Sequence, residues 1–567
     1  MDIIPAVVQV VVEGHLKELL YWFSDEMYRR LWRRAQGHFL VRLRDHLDTG
    51  PLEAACAAYH HSSGPGAPVV HPMSRLVRAL LVKYLLDLSL RELEQAIQWN
   101  LLVKGFVGYA LFEAGPDHAT LARFEQWVWE HQPRTFFDQI LRQIDEDFPE
   151  ERGKAQMGDT YALRANAATE SLIRLLRHSC QRLLWALAES DAQGHGWVVS
   201  QLDAEALFGT DDEVKEYRLR PAERRQRLES TVVAVVWCLS AVRSWLVEHP
   251  ASVANDAGRV TTWLVHLDKI LADEVELRHD EHKQGIAVQE WPKEQKGSYR
   301  LASATDPEAT YRVHGEQIDF GYNVNVAATD SFIREIRADT GAQPDALAIA
   351  AVLSAQQEHL GAVPAKFIYD KAAGTGKWHA AVEKVTDGRT QLVAPLIPYE
   401  QRRARFGPDD FVLSSDGQSL TCPQGQVSAT AYRSQSGEGR TFRFAAPQCA
   451  GCALLQPCRG EQAPATHMRQ VYISDHRSVL AKARTYARTL EFQQDLKQRS
   501  IIERIIANLV RYHGARHARR RGQSKCDFQA KMNATAFNIR QWLRRLERQA
   551  KAPVEALTLC LRVESAC

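Results

Sequence analysis

The sequence predicts an α/β protein, a mixed sheet covered by helices and interrupted by long insertions. Three observations predict it. Residues 319–329 and 332–338 read as two strands turning about Asp330-Ser331, a hairpin pattern. An Ala-rich helix at 345–360 and an apolar strand at 365–370, ending on Asp370, follow directly. A separate strand pattern at 155–163, carrying Asp159, lies far upstream.

Taken in chain order, residues 16–148 read as helix. Leu76, Leu80, Leu81 and Leu85 fall at helical spacing within 73–86. Ser89-Leu90-Arg91-Glu92 fits a capping box, the serine accepting from the Glu92 amide while the glutamate reaches back. The next helix spans 90–99, and Pro116-Asp117 opens a third, with Leu121, Phe124 and Trp127. Short helices joined by tight turns suit a helix-turn-helix reader of DNA and an ordinary small bundle alike. After the 155–163 strand, residues 169–277 return to helix, with Trp185, Trp237, Trp245 and Trp263 as apolar anchors. Residues 293–311 form a polar connector, 391–397 a further strand closed by Pro398, 409–466 a turn-rich stretch, and 475–514 helix. No repeat of fixed period is visible.

At 567 residues the chain has room for about three or four domains of ~150 residues. Hydrophobic residues at 45% and charged residues at 25% are ordinary for a globular protein. No run of eighteen apolar residues appears, so no membrane span is expected. Met1-Asp2-Ile3-Ile4-Pro5 lacks a basic segment followed by a cleavage site, so the expected location is cytoplasmic. Net charge is only +2, but residues 497–551 hold fifteen Lys and Arg against three Asp and Glu. That asymmetry points to a polyanionic partner, with a solvated helix face as the alternative. Ten cysteines in a cytosolic chain suit thiols or metal ligands better than a disulfide framework.

Three carboxylates on two strand ends and a helix have a chemistry open to them. Mg²⁺ prefers carboxylate oxygens and keeps positions open for phosphate and water. Two such ions about 3.5–4 Å apart serve both the attacking and the leaving oxygen of an in-line displacement. Spacing alone does not show that the three converge.

Four stretches carry a resemblance. They are Gly158-Asp159-Thr160-Tyr161-Ala162-Leu163-Arg164-Ala165-Asn166-Ala167, Asp319-Phe320-Gly321-Tyr322-Asn323-Val324-Asn325-Val326-Ala327, Phe367-Ile368-Tyr369-Asp370-Lys371-Ala372-Ala373-Gly374, and Arg499-Ser500-Ile501-Ile502-Glu503-Arg504-Ile505-Ile506. The last runs on into Tyr512-His513-Gly514-Ala515-Arg516-His517-Ala518-Arg519-Arg520-Arg521-Gly522, the most specific block of all. From about Gly14 to Leu546 the chain resembles the DDE transposases of bacterial insertion sequences. The N-terminal motifs around Ser89 and Pro116 resemble the helical domain that commonly precedes such a core.

The resemblance implies an RNase H-like core with Asp159, Asp370 and Glu503 as a triad holding two Mg²⁺ ions, Mn²⁺ substituting. It implies double-stranded DNA, element ends and target, as the partner, a homodimer or higher oligomer on that DNA, and a place in the bacterial nucleoid when bound. It divides the chain into a helical DNA-binding or dimerisation domain (1–150), the first core strand (151–170), a helical insert (171–304), the continued core (305–400), a cysteine-rich insert (401–474), and the catalytic helix with a basic DNA-binding tail (475–567). Arg499 precedes Glu503 by one helical turn, so both are expected to face one phosphate. Arg511, His513, Arg516, Arg519, Arg520 and Arg521 are expected on DNA. Some relatives have a tyrosine and a lysine flanking this motif; Leu496 and Val510 stand there, and those two roles are not assigned.

Cys422, Cys449, Cys452 and Cys458 have the spacing C-x26-C-x2-C-x5-C. Four thiolates suit tetrahedral Zn²⁺, and the x2 pair resembles a zinc knuckle. A similar insert occurs in one branch of these transposases. Structural zinc is the expectation, with unligated or redox-active thiols as the alternative and His467 as a substitute ligand. His279-Asp280-Glu281-His282 looks metal-like, but neighbours on a helix point apart, and a solvated helix end is the expectation. A tryptophan of the helical insert stacking on a displaced base is less expected than core packing. No Gly-rich phosphate loop with a following Lys is present, so ATP is not implied.

The activity implied is DNA strand cleavage followed by transfer of the freed 3′-hydroxyl to target DNA, without a covalent protein intermediate. An inactive or domesticated DNA-binding protein, and a metal-dependent nuclease without strand transfer, are the alternatives.

Overall fold

A computed structural model describes residues 3–61, 70–210, 212–250, 258–280, 285–396, 406–435, 437–460 and 468–564. The N-terminal helices form where the sequence places them. Met73–Leu85 and Leu90–Trp99 are joined at the Ser89–Glu92 capping box, with both reciprocal hydrogen bonds made at 3.2 and 2.8 Å. Asp117 caps His118–His131 through the Thr120 amide at 2.7 Å.

The strands in chain order are β1 (Gln156–Arg164), β2 (Val275–Asp280), β3 (Gly285–Glu290), β4 (Thr310–His314), β5 (Gln317–Ala328), β6 (Ile333–Thr340), β7 (Lys366–Ile368) and β8 (Gln391–Val393). Among the described residues, β2 and β3 form a separate two-stranded sheet. The central sheet runs β4-β5-β1-β7-β8, with β6 also on β5. β4 takes β5 from Gln317 to Gly321 and β6 takes it from Tyr322 onward, so the two share one edge in succession. β5 is antiparallel to β1, while β7 and β8 run parallel to it. Gly321 sits at the changeover, where a Cβ would stand 2.2 Å from the Leu163 carbonyl oxygen. The sheet is mixed, as the sequence predicts.

Alternation along the strands gives the sheet two cores. Met157, Tyr161, Leu163, Val324, Val326 and Ile368 face Ile502, Ile505 and Leu509 and run into the N-terminal helices without a break. Ala327, Phe367, Tyr369 and Leu392 face the other way, onto Ile349, Val352, Leu353 and Val382. Gly158 makes this close packing possible, because a Cβ there would lie 2.5 Å from the Phe367 ring.

The free edge of β6 is covered by the long helix Gln523–Glu564. Asn538 serves both the amide and the carbonyl of Ile333, at 2.9 and 2.8 Å. Asp527 accepts from the Ala338 amide, and Lys531 donates to the Ile336 carbonyl. An edge strand is thereby closed by side chains rather than left as a pairing template.

The helical insert has its own core, built on Leu176, Leu183, Val235, Leu239, Val242 and Leu267. Trp245 is buried there and Trp263 packs at its edge, but Trp185 and Trp237 are 49% and 66% exposed and anchor nothing. They fall on the outer sides of their helices, a detail that helical spacing alone leaves open. Among the described helices, Pro221–Glu248 has the length and hydropathy of a membrane span, and its buried residues pack into this core. The helical stretch ends earlier than expected, at β2. His279 and Asp280 belong to that strand rather than to a helix end, because it pairs with β3 from Val275 to Asp280. Glu281 and His282 lie outside the described residues. So do Ile397, Pro398 and His467.

Candidate active site and cysteine-rich subdomain

Register brings the two aspartates together. β1 and β7 pair in parallel, Met157 beside Ile368. Two residues further along each chain stand Asp159 and Asp370, and the Tyr369 amide still donates to Val393, at 2.9 Å. Neighbouring strands lie about 4.8 Å apart, and the Asp370 charge acts on the Asp159 carboxyl. Asp370 also caps the short turn Lys371–Ala373, accepting from the Ala372 amide at 2.9 Å.

Burial pushes the Asp159 carboxyl above its ordinary value, and the negative charges of Asp370 and Asp345 add to the shift. The Thr160 amide and the Arg499 guanidinium oppose it. Arg499 Nη2 stands 3.8 Å from Asp159 Oδ2, while Arg499 Nε is buried without a hydrogen-bond partner. The sequence places Arg499 beside Glu503; in the structure it reaches the first aspartate.

Glu503 is exposed in the first turn of Ser500–Tyr512, the helix whose Ile502, Ile505 and Leu509 seat it against the sheet. It follows Arg499 by four residues and so lies on the same side of the chain's turn. Among the described residues, no three His, Cys, Asp or Glu side chains are already gathered closely enough to hold a metal ion. The arrangement is thus two adjacent aspartates, an arginine bound to one of them, and a glutamate one turn beyond the arginine.

Sequence reasoning missed the layer behind this pair. Arg312 bridges the Thr160 hydroxyl and Asn323 Oδ1 at 2.9 and 3.0 Å, and Asn323 donates to Asp345 at 2.7 Å. Only the register, which puts Ala162 opposite Asn323, could have linked these residues.

The basic stretch is turned largely inward. Arg519 pairs with Asp87 and Arg520 with Glu125, both on the N-terminal helices or their turns. Arg521 donates to the Asn166 carbonyl at 2.9 Å. Glu125 is 1% exposed and holds Lys83 as well. His513 is 2% exposed, and burial pulls its pKa down to about 4, so it is a neutral core residue. Arg511 and Arg516 carry no acid partner among the described residues. The cause is geometric: the 515–518 strand-like segment lies along the end of β1 at Arg164, pulling the arginines after it onto the N-terminal domain.

Cys422, Cys449, Cys452 and Cys458 line one small cavity of about 30 Å³, together with Phe406, Phe411 and Phe444. The Gln426 amide donates to Cys422 Sγ at 3.3 Å, with Gly425 at φ +83 making the turn. The Cys449–Cys452 turn is closed through Gly451 at φ +69. Burial raises the thiols of Cys449 and Cys458, and the neighbouring Arg469 opposes it. The sulfurs face a common space, though not at metal-ligand distance.

A family model described as a transposase DDE domain matches residues 421–543. A second, described as a transposase domain (DUF772), matches residues 29–127. The first spans Glu503, the four cysteines and every candidate arginine; the second covers Met73–Leu85, Leu90–Trp99 and most of His118–His131. Neither includes Asp159 or Asp370. No curated protein and no solved structure matches the chain.

Proposed function

The chain belongs to the DDE transposases of the insertion-sequence type, and on that premise we propose that it cleaves and rejoins DNA at a site made by Asp159, Asp370 and Glu503. The observation that carries this is the parallel register that sets Asp159 and Asp370 side by side, with Arg499 on the first. Strand order supports an RNase H-like core: three antiparallel strands, the first of which is flanked on its other edge by two parallel ones.

The donor set fits Mg²⁺ or Mn²⁺, since all three side chains are carboxylates and two already repel one another. Two such ions, held by these carboxylates, would supply charge stabilisation to the attacking and leaving oxygens of a phosphodiester. The protein's own work is positioning. Asp159 presents its carboxylate from within β1, and Asp370 from the turn that follows β7. Arg499, 3.8 Å from Asp159, would also lie within reach of a substrate phosphate held at the same site. Arg511 and Arg516 offer further phosphate contacts, and the protein would act on DNA as a dimer or higher oligomer. The four cysteines fit a structural Zn²⁺: an amide already donates to Cys422 Sγ, as a thiolate ligand requires.

The test is direct. Purified protein, Mg²⁺ and the DNA flanking its own gene should give cuts at fixed positions, and added target DNA should be joined to the freed 3′ ends. Cutting without joining would leave a nuclease; binding without cutting would leave a DNA-binding protein.

A further inference from the structure

The helical insert carries a second feature that the active site does not use. A cleft of about 1710 Å³ opens between the start of helix Leu172–Ser190, the segment leading into Pro221–Glu248, and the β2–β3 hairpin. Its lining is rich in charge, and the charges do not balance. Every acid among its described lining already has a basic side chain against it. Glu213 holds both Arg177 and Arg227, at 2.6 and 3.1 Å, and Glu216 holds Arg224 at 3.0 Å. Glu170 faces His178 at 3.2 Å, and Glu290 is held by Lys296 at 2.6 Å. Arg174, Lys215 and Arg225 line the same cleft, are exposed, and have no acid partner among the described residues. Tyr217, also in the lining, is 76% exposed, and Arg218 stacks over its ring.

We propose that this cleft binds an unpaired stretch of DNA strand, Arg174, Lys215 and Arg225 on its phosphates and Tyr217 against a base. Three unpaired cations in a concave wall attract a linear polyanion, and a duplex would leave the Tyr217 face unused because its bases are already stacked. The position suits a strand leaving the active site. Thr169, the first cleft residue, is ten residues beyond Asp159, a span of at most about 35 Å even if fully extended. The proposal rests on the reading of DNA as substrate and names a second place where that substrate is held.

The test uses the full chain in Ca²⁺ with two fluorescent probes, a 20-nucleotide oligothymidine and a duplex of the same length. Anisotropy is read across a salt series. Arg174→Glu with Arg225→Glu should weaken oligothymidine binding at least tenfold and flatten its log–log salt slope by about 1.4, two single-strand phosphate contacts. The milder Arg174→Gln with Arg225→Gln should move both in the same direction, guarding against misfolding. Tyr217→Ala should weaken oligothymidine about fivefold or more, leave the slope unchanged and spare the duplex. Lys384→Glu, an exposed cation on another element, should change neither probe. Oligothymidine binding equal to wild type in the arginine and tyrosine variants overturns the cleft proposal alone, and so does an equal loss for both probes. Wild-type protein that binds neither probe would instead overturn the reading of DNA as substrate.

Discussion

Arg499 Nη2 lies 3.8 Å from Asp159 Oδ2, so the arginine that leads into helix Ser500–Tyr512 is a counter-ion to the first aspartate. Burial, Asp370 and Asp345 raise the Asp159 carboxyl, and Arg499 lowers it. The sign of its removal follows. With Arg499→Gln the carboxyl should rise further, and only its ionised form takes a divalent cation. The acid limb of the pH–rate profile for end cleavage should therefore move to higher pH. An acid limb unchanged or moved to lower pH would show that Arg499 does not govern Asp159.

The Asp159 carboxyl, raised by burial and by the neighbouring charge of Asp370, costs the fold stability above the ordinary aspartate range. A folded pKa above the unfolded value gives stability below the unfolded pKa that is lost as pH rises through the folded one. Divalent cations should reverse that loss at neutral pH. In a thermal melt at pH 7.5, Mg²⁺ or Ca²⁺ should raise Tm of the wild type, and Asp159→Asn or Asp370→Asn should abolish the increase. A cation-dependent rise that persists in both variants would place the ion elsewhere.

The inward-turned arginines make a prediction that composition alone would reverse. Replacing Arg519, Arg520 and Arg521 by Ala should leave the salt slope of duplex binding near wild type, because the structure engages all three with protein groups. Arg511→Ala with Arg516→Ala should flatten that slope by about 1.8, two duplex phosphate contacts. Glu125→Ala should cost about 3–5 kcal/mol of stability, since it strands buried Lys83 beside Arg520. Salt titrations and chemical denaturation check the two halves separately. A slope lost in the triple variant and kept in the double one would exchange the assignments.

The cysteine-rich subdomain should hold one zinc per chain, measured by elemental analysis of protein purified without added metal. Cys452→Ser should remove most of it and expose the Phe411 and Phe442 core to proteolysis, while leaving the N-terminal helices intact. Zinc near zero in the wild type would mean that these thiols stand unligated.

Much of this was legible from residues alone, and the limits have physical causes. The Ser89–Glu92 capping box and the Asp117 cap are local hydrogen bonds between near neighbours, so four residues suffice to read them. The Asp330-Ser331 hairpin and the Asp370 strand end are likewise local patterns. Two features depended on distant partners, and a third on a pairing with no local signal. Asp159 meets Arg499 across 340 residues of chain, and Asp345 joins the same region through Asn323. The cationic stretch looked like a free DNA-binding surface because its acids, Asp87 and Glu125, lie in another domain. β2 lacked any local sign of its pairing with β3, and helix was read through it.

The central claim is that Glu503 completes the metal-binding site. Glu503→Gln keeps the shape and one neutral oxygen but removes the charge that holds a cation against its own hydration. Cleavage of a labelled element end in Mg²⁺ should fall by at least ~10³, or ~4 kcal/mol of barrier. Gel-shift titration of the same DNA in Ca²⁺ should stay near wild type, because no phosphate contact is lost. Asp159→Asn and Asp370→Asn should behave alike. A Glu503→Gln enzyme cutting within about tenfold of wild type, a barrier change of only ~1.4 kcal/mol, would contradict the assignment.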